Sequence, residues 1–181
     1  MNLPNKLTLL RVCLIPVFLL LYPASILGDP VSRYAALCVF IAASLTDALD
    51  GYIARKYNLI TNFGKLMDPM ADKLLVAAAM IAMVQTGALP SWVVIIIISR
   101  EFLITGFRML ALERGIVIAA SSWGKYKTIS QIAMIILILL DFIPNIILMP
   151  VIAVAAILTV ISAADYILKN KGVMTEEAVE K

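Results

Sequence analysis

Asp47 and Asp50 stand three residues apart, and Asp68 and Asp72 four apart, in a chain with 12 acidic residues in all. On a helix those spacings put both members of a pair on one face, with Cβ atoms about 5–6 Å apart. Four carboxylates gathered in a partly buried place repel one another unless cations join them. The donors are all oxygen and the sequence has no histidine, so Mg2+ or Mn2+ suits such a site better than zinc or copper. Four carboxylates suffice for two ions about 3.5–4 Å apart, an arrangement that clamps the attacking and leaving oxygens in phosphoryl chemistry. The same spacings also permit structural salt bridges to Arg55, Lys65 and Lys73, or a proton or cation path through a helix bundle.

The missing histidine removes Ser–His and Cys–His catalysis. Cys13 and Cys38 lie in apolar stretches without CxxC spacing and are expected as buried thiols. The elements around the aspartates are unusually apolar: 62% of the 181 residues are AVILMFWYC and 15% are charged. That composition sets aside a soluble globule, a disordered chain and a nucleic-acid-binding module, leaving an integral membrane protein.

A membrane helix needs about 20 largely apolar residues. Six candidates appear: 7–27, 34–54, 64–85, 91–112, 127–140 and 146–168. The expected fold is therefore all-α, with six transmembrane helices, a short N-terminal interfacial segment, and an uncleaved first span in place of a signal peptide. Residues 1–181 read as one transmembrane domain ending in a polar tail over 170–181. Lys6, Arg11, Arg55, Lys56, Lys65, Arg114, Lys125, Lys127, Lys169 and Lys171 fall on the N-terminal side, and only Arg33 on the other. By the positive-inside rule both termini and both aspartate-bearing helix ends are expected at the cytoplasmic face.

Gly51 and Ala54 follow the first aspartate pair, and Gly64 precedes Asp68 by four residues. Small residues let a charged ligand approach the backbone, or let helices pack closely. The run Asp47-Ala-Leu-Asp50-Gly51-Tyr-Ile-Ala54-Arg55, followed by Gly64-Lys-Leu-Met-Asp68-Pro-Met-Ala-Asp72, resembles the CDP-alcohol phosphatidyltransferase signature, DxxDGxxAR, a spacer, then GxxxDxxxD. All eight signature positions are matched, and with the six-span layout the likeness covers nearly the whole chain. The resemblance implies that Asp47, Asp50, Asp68 and Asp72 hold two divalent cations, with Asp72 also the general base. It further implies that Gly51, Ala54, Arg55 and Gly64 receive the cytidine diphosphate part of a CDP-activated lipid, and that the enzyme is a homodimer in a bacterial inner membrane.

Two other regions bear on the acceptor alcohol. The opening, Asn2 to Arg11, resembles the NxPNxLTxxR start of the bacterial phosphatidylglycerophosphate synthase branch of that family. Asn5, Thr8 and Arg11 recur every third residue, near one helix face, where they can meet phosphate oxygens; a short interfacial helix with Arg11 reaching to headgroups explains them equally. Asn5 and Thr8 are assigned to the CDP-lipid, and Arg11 to the acceptor phosphate. Arg100 and Arg108 sit in an otherwise apolar stretch, eight residues and so about 80° apart around a helix, with Lys125 and Lys127 following. Glu101 neutralises one charge, leaving an excess that suits a phosphate-bearing acceptor. That favours sn-glycerol 3-phosphate, although an inositol phosphate meets the same charge argument. Inositol or serine as acceptor, an aspartate-lined transporter, and a structural bundle of ion-paired helices stay open as alternatives.

Overall fold

The computed structural model describes the backbone of residues 3–23, 26–56, 62–113, 118 and 121–170, and their side chains except at 3–5, 47–55, 62–69, 72, 112 and 113. The described residues form six helices: α1 (Leu3–Leu21), α2 (Val31–Lys56), α3 (Asn62–Gln85), α4 (Ser91–Glu113), α5 (Ser122–Leu140) and α6 (Asn145–Lys169). They include no strand, as expected of an all-α chain. Both α5 and α6 are long and apolar enough to cross a membrane. The apolar stretches Val31–Thr46 of α2 and Lys73–Gln85 of α3 are shorter.

Several boundaries differ from the sequence expectation. Helix α1 begins at Leu3, ahead of Leu7, and runs unbroken through Pro16. The helix stops at Leu21 instead of Leu27, since Pro23 disfavours helical backbone at Tyr22. The fifth helix starts at Ser122, ahead of Lys127, because the Gly124 amide donates to the Ser121 hydroxyl (3.2 Å) as a cap. Cys13 and Cys38, expected as buried, are both exposed. The stretch 171–181 of the polar tail lies outside the described residues.

The chain packs as two compact units. The first comprises Met1–Pro90 and Ile135–Ile143; the second comprises Ser91–Met134 and Pro144–Lys181.

In the first unit α1 packs on both α2 and α3. Arg11 donates from Nε to the Ala43 carbonyl (3.3 Å), and Phe18 meets Phe40 with ring centroids 6.2 Å apart, so α1 and α2 are antiparallel. A 2.6 Å hydrogen bond between the Tyr22 and Thr86 hydroxyls joins the C-terminal ends of α1 and α3, which are therefore parallel. At the same end Arg33 pairs with Asp141 and lies 6.0 Å from the Tyr22 ring centroid. Helix α3 closes on Gly87 at φ +74, whose amide donates to Val84 while that of Ala88 donates to Met83. That pair of bonds needs a left-handed residue, which glycine adopts without steric penalty.

In the second unit α4 packs on α6, and polar contacts tie both to the first half of α5. The buried face of α6 consists of Ile152, Ala155, Ala156, Thr159, Ser162 and Tyr166. Small residues there let a neighbouring helix come close, and the hydroxyls offer cross-helix partners.

Gly87 and Gly106 provide a contrast, since an added Cβ at either meets nothing within 4 Å. Gly87→Ala pays only for left-handed backbone and should lose about 1–2 kcal/mol. Gly106→Ala, inside α4, should gain up to about 1 kcal/mol of helix propensity. Thermal unfolding in detergent measures both; equal shifts for the two would contradict the assignment of the Gly87 turn.

Candidate active site

Helix direction brings the signature residues to one end of the first unit. Asp47 and Asp50 lie in the C-terminal half of α2 and Asp68 and Asp72 in the N-terminal half of α3. Helix α1 packs on both, antiparallel to α2 and parallel to α3, so both pairs lie toward the start of α1. Gly51, Ala54 and Arg55 continue α2 past this point, and Gly64 lies one turn before Asp68 on α3. The side chains of all eight signature residues, and of Asn5, lie outside the described residues.

Next to the signature, the described side chains stabilise the turn that leads to Asp47. Arg11 is fully buried (0% exposed), as is Thr8 three residues before it. The Ala43 carbonyl accepts from Arg11 Nε (3.3 Å) and from the Thr46 hydroxyl (2.6 Å). Helix geometry aims that same carbonyl at the amide of Asp47. Arg11, expected at a phosphate, thus has at least one donor committed to the α2 backbone.

Among the described residues no three carboxylate, thiolate or imidazole side chains lie together. The signature aspartates, at one end of two packed helices, are all-oxygen donors, a set whose chemistry fits hard divalent ions.

The second unit holds the basic residues. Arg100 donates from Nη2 to the Ser162 hydroxyl (2.6 Å) and from Nη1 to Glu101 Oε1 (3.3 Å). Buried Lys127 donates to the same Glu101 oxygen. Arg108 donates from Nε to the Tyr166 hydroxyl (3.1 Å), with its guanidinium carbon 5.3 Å from the Tyr166 ring centroid. One carboxylate, Glu101, thus serves two of these three cations. Lys125, two residues before Lys127, is exposed and makes no contact of this kind with a described residue.

The model of CDP-alcohol phosphatidyltransferases matches residues 1–164. This chain belongs to the CDP-alcohol phosphatidyltransferase family. Among relatives bearing the name CDP-diacylglycerol–glycerol-3-phosphate 3-phosphatidyltransferase, that of Bacillus subtilis is 46% identical over 183 residues, covering 93% of this chain and 95% of its own. The Rickettsia bellii protein is 40% identical, covering 91% and 93%. That of Mycoplasma pneumoniae is 35% identical, covering 75% of this chain and 66% of its own.

Ser162 and Tyr166 are the polar residues of this family member that reading the sequence passed over. Their signal was present: Thr159, Ser162 and Tyr166 recur at helical spacing in a run otherwise rich in Ile, Val and Ala. Tyrosine and serine at a buried helix face read first as packing, and only their partners on α4 show otherwise.

The Glu101–Lys127 pair is testable by a mutant cycle. Lys127→Met leaves a largely buried carboxylate with one cation fewer and should destabilise by about 3 kcal/mol. Adding Glu101→Gln should restore part of that loss, read as the thermal midpoint of the purified protein; a fully additive double mutant would show that the pair is not coupled.

Proposed function

We propose that this protein transfers the phosphatidyl group of CDP-diacylglycerol to sn-glycerol 3-phosphate, giving phosphatidylglycerophosphate and cytidine monophosphate. The observation that carries this reading is the 46% identity with the Bacillus subtilis relative of that name, across 93% of this chain. The signature aspartates at one end of α2 and α3, and Arg100 and Arg108 on α4, support it.

Asp72, as the general base, takes the proton of the acceptor's 1-hydroxyl. The hydroxyl oxygen bonds to the lipid-linked phosphorus, and the bond from that phosphorus to the oxygen of cytidine monophosphate breaks. Divalent cations, Mg2+ or Mn2+, held by Asp47, Asp50, Asp68 and Asp72 supply charge neutralisation for the diphosphate. Asn5, Thr8, Gly51, Ala54, Arg55 and Gly64 receive the CDP-lipid. Arg11, Arg100, Arg108, Lys125 and Lys127 supply positive charge for the acceptor phosphate, for which a planar guanidinium fork is suited. Serine or unphosphorylated inositol makes no use of that charge.

The protein belongs in a bacterial inner membrane, crossing it six times with both termini and the chemistry on the cytoplasmic side. Support comes from α5 and α6 as candidate spans and from large apolar side chains exposed on the other helices, among them Phe102 at 75% and Leu103 at 69%. A soluble protein rarely tolerates that much apolar surface. The placement of basic residues supports the sidedness, and a homodimer rests on the family resemblance.

Purified protein given CDP-diacylglycerol should release cytidine monophosphate with glycerol 3-phosphate and not with serine. Preference for an inositol phosphate would overturn the acceptor assignment. Chelation should abolish turnover, and added Mg2+ or Mn2+ should restore it. Asp72→Asn should lower kcat by about 10²–10⁴-fold while the protein stays folded in membranes; near-wild-type turnover would remove Asp72 as the base.

A further inference from the structure

Arg100 and Arg108 stand eight residues apart on α4, so their Cα atoms differ in height by about 12 Å. Their partners Ser162 and Tyr166 are four residues apart on α6, a difference of about 6 Å. The pairing runs in the same sense along both helices, Arg100 to Ser162 and Arg108 to Tyr166. The two long side chains must therefore lean toward each other to reach their hydroxyls. Two guanidinium groups drawn together repel, and Glu101, which also serves Lys127, offsets only part of the charge.

The manner of holding is also specific. Tyr166 is 2% exposed and packed edge-on against Phe107, so its hydroxyl is a fixed point. It accepts a hydrogen bond from Arg108 Nε, and no described residue accepts from the two Nη groups. Engaging a guanidinium at Nε leaves its outer edge, the fork that binds two phosphate oxygens, turned outward. A side chain already held this way loses less rotamer freedom when an anion arrives.

We propose that Tyr166 is a positioning residue, whose hydroxyl holds the Arg108 guanidinium at Nε, drawn toward Arg100, with its outer edge left for the phosphate of the acceptor. This rests on the acceptor assignment made above, and deepens it by naming what shapes that part of the site. The hydroxyl does not touch substrate; it acts through Arg108.

Tyr166→Phe keeps the ring, its contact with Phe107 and its face toward Arg108, and removes only the acceptor oxygen. The KM for glycerol 3-phosphate should rise about 5- to 10-fold, with kcat and the KM for CDP-diacylglycerol changed less than about twofold. In an Arg108→Ala background, Tyr166→Phe should have almost no further effect, because the residue through which it acts is gone. An undiminished effect in that background, or an equal rise in both KM values, would overturn the proposal by showing a general packing role. Inorganic phosphate binding to the full-length protein, by calorimetry in nanodiscs, separates this proposal from the acceptor assignment. If wild type fails to use glycerol 3-phosphate yet Tyr166→Phe weakens phosphate binding by the same 5- to 10-fold, the acceptor assignment falls and the positioning role stands. Unchanged phosphate binding in Tyr166→Phe would overturn the positioning role.

Discussion

A charge or strong hydrogen-bonding group set among apolar helices has to be met by a partner, because leaving it bare costs several kcal/mol. In this protein the partner usually lies on another helix. Arg11 of α1 reaches the α2 backbone at Ala43, Arg100 of α4 reaches Ser162 of α6, Lys127 of α5 reaches Glu101 of α4, and Gln131 of α5 reaches Thr159 of α6 (3.1 Å). Apolar packing tolerates sliding of one helix along another. A directional contact between two polar groups does not, so each of these bonds sets a register.

That register matters most in the first unit. Asp47 and Asp72 come from different helices, and the helix directions seen in the Arg11–Ala43 and Tyr22–Thr86 contacts put both toward one end of the unit. The Ala43 carbonyl is a shared point, accepting from Arg11 and from Thr46 just before the first aspartate. Slipping one of these helices by a turn would move its aspartates by about 5 Å, enough to dismantle any site that depends on four oxygens meeting small ions. Far from the aspartates, the Tyr22, Thr86, Arg33 and Asp141 contacts hold the other end.

The second unit solves a different problem with the same means. Arg108 is met by a neutral hydroxyl, and Arg100 by a hydroxyl and by Glu101. A hydroxyl holds a guanidinium without neutralising it, whereas a carboxylate in place of Ser162 or Tyr166 would hold more strongly and cancel the charge. Glu101 also accepts from buried Lys127.

Much of this was legible in the sequence. Helix content follows from long apolar runs broken at Gly28, Pro30, Gly87 and Pro90, and the chemistry follows from eight signature residues whose spacing within each helix is a local property. Helix ends were less legible, because Ser121 capping α5 and Pro23 stopping α1 are weak signals beside a continuous apolar run. The roles of Arg11, Ser162 and Tyr166 were not legible, and neither was the exposure of Cys13 and Cys38. The sequence by itself determined the elements and the reaction class, since both depend on residues three to eight apart on one helix. Only the tertiary structure decided which helices pack together and in which direction, and which hydroxyl holds which arginine. Those depend on contacts such as Arg11 with Ala43 and Arg108 with Tyr166, between residues 32 and 58 positions apart, and no local rule of spacing reaches that far.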